Sequence, residues 1–197
     1  MAEVTVVPEQ FSLIQFDAGE IAAIVRRLAD EIGLDDRPIT VEVDEYSPLG
    51  YSHVSSLAPL TIKVESGAFE DAKRPRYLSP TSVSGVIGRL LFRARDRLDP
   101  AFGDPPPDEE LSLAQHVAWD VYAVGRAERV GYPGQRERRR YHFRIRHGFT
   151  DVADRVFSRL WSGTDLTWAD IDAASAEAAA AKPAEPKRAR AKSGRGR

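Results

Sequence analysis

The chain has 197 residues, 42% hydrophobic and 29% charged, with no cysteine and a net charge of −2. That size and mix suit one folded domain with an appendage. The missing thiols exclude disulfides, thiolate nucleophiles, zinc ribbons and iron–sulfur clusters. Charge is placed unevenly. Residues 174–197 hold seven cations against two glutamates, a net +5, which leaves −7 on residues 1–173. An acidic body argues against a general nucleic-acid binder. Arginine far exceeds lysine, with only Lys63 and Lys73 in residues 1–173, as GC-rich coding produces, so arginine abundance alone is discounted as a binding signal. The opening MAEVTVVPEQ lacks a basic start followed by an apolar run, and no apolar run approaches the ~18 residues of a membrane helix. A soluble, cytoplasmic chain with no membrane association is expected.

In chain order, Phe11–Phe16 reads as a short strand. Asp17 is a helix N-cap, with Glu20 at the capping-box position. Ile21, Ile24, Val25, Leu28 and Ile32 follow as one apolar stripe that Gly33 ends. Ile39, Val41 and Val43 alternate with polar residues, as do Leu60, Ile62 and Val64; each set is a strand with one buried face. Between them, SPLGYSHVSSLA reads as a long surface loop, which with the preceding Tyr46 carries Tyr51 and His53. Ser79 and Pro80 start a helix through Leu98, with Arg89, Arg93 and Arg97 away from its apolar face. AFGDPPPDEE is a stiff linker. A helix from about Leu111 to Val130 has so wide an apolar arc that it is expected to be central. Tyr141, Phe143 and Ile145 alternate with His142, Arg144 and Arg146, which predicts a strand with rings inward and cations outward. Tyr141, Ile145 and Phe149 also stand four apart, the helical alternative. Thr150 or Asp151 caps another helix, and LTWADIDAASAEAAAA forms a short, fraying terminal one. The basic end, rich in proline and glycine, lacks an apolar stripe and is expected to be disordered. Together these elements predict an α+β domain over residues 1–173, a small sheet packed on three or four helices, with a flexible basic tail over 174–197.

Candidate chemistry is sparse. His116 and Asp120 share one helix face, the arrangement in which a carboxylate orients a general base, with His53 as a further candidate. A structural hydrogen-bonded pair is the plainer reading. Four histidines at unfamiliar spacings predict no metal site. The absence of a phosphate loop, a dinucleotide fingerprint or a nucleophile elbow predicts no cofactor. The cationic segment is the stronger feature. Arg136, Arg138, Arg139, Arg140, Arg144 and Arg146, with Lys187, Arg188, Arg190 and Lys192 of the tail, form a candidate anion-binding set for nucleic acid or an acidic protein surface. A solvated strand face is the alternative. Oligomeric state is not legible.

The order helix, two strands, helix, helix resembles the minimal zinc-peptidase (zincin) scaffold. In that family the helix after the sheet carries His-Glu-x-x-His, which holds zinc and activates water. Here that helix reads Ser82-Val-Ser-Gly-Val-Ile-Gly-Arg89, with neither histidine nor glutamate. The resemblance therefore implies a metal-free, inactive scaffold. The leading expectation is a non-enzymatic cytoplasmic accessory protein that engages an anionic partner. The rival is an enzyme using His116 and Asp120.

Overall fold

The structure is a computed structural model that describes residues 1–182. It has an α+β architecture. Strands β1 (Val4–Val7), β2 (Ile39–Asp44), β3 (Ser52–Leu57) and β4 (Leu60–Glu65) form one sheet in the order β1-β2-β4-β3. The first three in that order run parallel, and β3 runs antiparallel to β4 at the edge. The parallel pair β1–β2 requires a crossover, supplied by α1 (Ala18–Ile32). Asp17 caps α1 through the Glu20 amide, and Gly33 closes it in the left-handed conformation, as the sequence predicts.

Alternation sets the buried face of the sheet. Val4, Val6, Ile39, Val41, Val43, Leu60, Ile62 and Val64 pack with α1 and with α2 (Pro80–Leu98) in one core. The segment Phe11–Phe16 is not a strand. It is a loop held by the Glu45 carboxylate, which accepts from the Ser12 and Leu13 amides at 2.8 Å each. The expected loop between the two predicted strands contains β3. An edge strand packs lightly on both faces, so Ser52–Leu57 shows no clean alternation of burial and reads as polar loop. A short hairpin, β5 (Glu70–Asp71) and β6 (Arg74–Leu78), precedes α2.

A second core lies among α3 (Leu113–Arg129), α4 (Arg136–His147), α5 (Asp151–Ser162) and α6 (Trp168–Ala180). Helix α3 is central as expected: Ala123 and Ala127 belong to the sheet-side core, Trp119 and Val121 to the helical one. Gly125 lets α5 come close, because a Cβ there would lie 2.2 Å from the Trp161 carbonyl oxygen. Helix α6 runs past residue 173 to Ala180 and buries Ala174 and Ala178, so packed structure continues beyond the boundary composition suggested.

The largest correction concerns Arg136–His147, which is helix and not strand. Phe143 and His147, one turn apart, are buried with their rings stacked 3.9 Å between centroids. Tyr141 and Ile145 point outward. Arginine favours helix, and Glu137 in the first turn and Arg144, Arg146 and His147 in the last complement the helix dipole. No described helix is long and apolar enough to cross a membrane.

Candidate functional site: a cleft between the edge strand and α4

A cleft of about 1340 Å³ opens between the two layers. The edge strand β3 lines one side, α2 and α3 line the floor, and α4 lines the other side. Its floor is an ion-pair ladder. Arg89, Arg93 and Arg97 recur every four residues on α2, so they stack on one face. Arg89 donates to both carboxylate oxygens of Asp120 at 3.1 and 3.2 Å, and Arg93 donates to one of them at 3.2 Å. Arg93 and Arg97 both reach Asp108 at 2.6 Å. Outside the cleft lining, Arg126 of α3 grips Asp96 of α2 through both oxygens, at 2.7 and 2.6 Å, and Trp119 Nε1 donates to the same carboxylate. Burial alone would raise the Asp120 pKa. The guanidiniums of Arg89, Arg93 and Arg139 outweigh it and hold the group at about 2. Asp120 is therefore a fixed anion at neutral pH.

The His116–Asp120 pair expected from the sequence does not form a dyad. Both residues line the cleft, half-buried, but each bonds elsewhere. The Nε2 of His116 lies 2.8 Å from the Asp108 carbonyl oxygen, which can only accept, so Nε2 carries the proton. Its Nδ1 faces the Arg93 guanidinium at 3.4 Å, which can only donate. No lone pair is left to abstract a proton. His53 is also in the cleft, with its ring 5.0 Å from that of Tyr51. The described residues contain no group of three or more histidine or acidic side chains that could hold a metal.

Helix formation sorts the six arginines of α4 onto different faces. Arg144 makes a two-point pair with Asp154 of α5; its Nε lies 2.7 Å from one carboxylate oxygen. Arg140 pairs with Glu137 at 2.5 Å, and the Arg136 guanidinium lies 5.9 Å from the Trp161 ring centre. These three tie α4 to itself or to its neighbours. Arg138, Arg139 and Arg146 line the cleft together with His142. Arg138 and Arg146 are exposed and make no ion pair among the described residues, and Arg139 lies 3.9 Å from Asp120. Loss of solvation together with the charges of Arg138, Arg139 and Arg146 lowers the His142 pKa. Repulsion of a proton by three guanidiniums marks a local positive potential. Lys187, Arg188, Arg190 and Lys192 lie outside the described residues.

Searches of protein-family models, of curated proteins and of solved structures find no match to this chain. The helix that would carry the metal motif in a zincin arrangement presents Gly85, Val86 and Arg89 to the cleft, and Arg89 is committed to Asp120.

Two features of this site escape a reading of the sequence. The ladder on α2 looks like a solvated outer face, yet Arg93 and Asp96 are only 5% and 4% exposed. The signal was present as the 89, 93, 97 spacing, but the paired carboxylates lie 11 to 31 residues away in sequence. The outer edge of β3 was hidden with the strand itself.

Proposed function

We propose that this chain is a non-enzymatic cytoplasmic accessory protein that holds an acidic segment of a protein partner in the cleft, against the α4 wall. The observation that carries this reading is the convergence of Arg138, Arg139, His142 and Arg146 on one wall of an open cleft, while the other α4 arginines are spent on packing. Guanidiniums suit carboxylates because two N–H groups match two oxygens in one plane. An acidic protein is favoured over nucleic acid by the rest of the lining. The cleft holds five arginines and also five carboxylates, among them Glu70, Asp71 and Glu109 away from α4. A phosphate backbone running along the cleft would meet those acids, whereas a protein segment can place its carboxylates against α4 alone. The six cations of residues 183–197 add charge attraction to any anionic partner.

The test is titration of the full chain at low salt with a fluorescent glutamate decamer and, separately, with a single-stranded DNA oligomer. Replacing Arg138 and Arg146 together with alanine should weaken decamer binding by at least about tenfold, the loss of one charge-assisted hydrogen bond. Thermal stability should change little, because both side chains are exposed, neither makes an ion pair among the described residues, and Arg138 gives up only a surface hydrogen bond to Gln135 at 3.1 Å. Ending the chain after Lys182 should cost less than that. Truncation at 173 is the wrong comparison because it removes half of α6. Decamer binding that survives the double substitution and disappears with residues 183–197 would refute the cleft reading.

A further inference from the structure

Strand β3 ends the sheet, and its far side lines the cleft. The direction of its backbone groups follows from one bond. The Glu65 amide donates to the Tyr51 carbonyl at 2.9 Å, so residues 51 and 65 face each other as a bonded pair. In an antiparallel ladder bonded and unbonded pairs alternate. His53, opposite Lys63, therefore turns its N–H and C=O toward β4. Ser52 and Val54, opposite Val64 and Ile62, turn theirs away from β4. Each offers one donor and one acceptor to the cleft side. Their side chains point the other way from those of Tyr51 and His53: Val54 packs on the sheet-side core, and Ser52 Oγ accepts from Arg89 at 2.8 Å. The register shifts beyond Val54, at Ser55, which limits the open ladder to this short run.

We infer that the outer edge of β3 at Ser52–Val54 is a strand-addition site, where an extended acidic peptide pairs its main chain with β3 while its carboxylates meet the α4 arginines. This rests on the anion-binding reading of the cleft and specifies how the segment is held. Main-chain pairing supplies affinity without sequence preference, and alternate side chains supply selectivity because they project to opposite sides. Charge decides among occupants. A second copy of β3 would bring Ser-His-Val-Ser-Ser-Leu, which has no carboxylate for the arginines. Residues 183–197 of the chain's own end carry a single glutamate among six cations. A separate chain with aspartate or glutamate at alternate positions satisfies both walls.

The experiment begins with selection of random twelve-residue peptides on the immobilised full chain. The strongest binder is then synthesised and titrated into isotope-labelled protein, with amide exchange read by NMR. The expected consensus has acids at alternate positions, and saturation with the peptide should slow exchange of the Ser52 and Val54 amides. The Val54→Pro variant should lose binding yet keep its fold. The amide it removes faces outward and makes no bond within the sheet, and proline is tolerated on such an edge. Should Val54→Pro fail to fold, the wild-type exchange data decide alone. Selected peptides that are acidic and depend on Arg138 and Arg146, but leave Ser52 and Val54 exchanging as before, would overturn strand addition and keep the anionic cleft. Selection of no peptide, or only of peptides without acids, would overturn both. Self-association abolished by Val54→Pro would put a second copy on the edge and overturn the acidic-peptide assignment.

Discussion

At the scale of residues, identical side chains in one short segment have opposite roles. Arg144 and Arg146 sit two apart on α4; one grips Asp154, the other lines the cleft. Their sequence contexts are alike, so only the helix geometry separates them. The same holds for α2 and α3, where the arginines nearest a carboxylate in space hold the layers together. Asp96 is 4% exposed and accepts from Arg126 and Trp119. Removing one partner of a buried pair leaves an uncompensated charge, which costs about 3–5 kcal/mol. Arg126→Ala is expected to destabilise by that amount in urea unfolding, while Arg138→Ala leaves the midpoint in place.

At the scale of elements, the helix caps were legible and the edges were not. Asp17, Ser79 and Thr150 each accept from the amide three residues on, as short polar side chains ahead of an apolar stripe do. Helix α4 was misread because Tyr141, Ile145 and Phe149 fit a two-residue and a four-residue period equally well. What separates the two periods is the exposure of Tyr141 and Ile145 on either side of buried Phe143, since a strand would bury all three; the helix instead buries His147, one turn after Phe143. Its Nδ1 donates to the Phe143 carbonyl and its Nε2 accepts from Ser175. A histidine satisfied in this way behaves as a core residue, and composition does not reveal it. Strand β1 was also missed: four residues with Val4 and Val6 buried give only two turns of alternation. Close approach of α3 and α5 gives a direct test of element packing. A methyl at residue 125 would meet the backbone of Trp161, so Gly125→Ala should destabilise by about 1–3 kcal/mol despite the better helix propensity of alanine. A thermal melt no lower than that of the parent would contradict the packing of α5 against α3.

At the scale of the whole molecule, two cores share α3, and the cleft lies where the layers part. The class, the central helix and the small sheet were readable because each rests on apolar periodicity that a sequence displays. The cleft was not readable, because it is made from an edge strand without alternation, a helix mistaken for a strand, and ion pairs between distant positions. The acidic body and the local cation wall coexist because most carboxylates lie elsewhere or are paired on the floor. The central claim, that α4 presents a positive wall tuned to carboxylates, has a reporter in its midst. His142 is held below its ordinary pKa by desolvation and by Arg138, Arg139 and Arg146. The charge of a carboxylate bound beside the ring is expected to outweigh the desolvation that the peptide adds, so the pKa should rise on binding, and by linkage binding should tighten as pH falls through the range in which the ring takes up its proton. The direct measurement is an NMR titration of the His142 ring in the full chain, with and without saturating acidic peptide. The expected result is a pKa below about 6.5 in the unliganded protein that moves upward with peptide. An unshifted His142, with peptide bound and only signals of residues 183–197 perturbed, would contradict the claim.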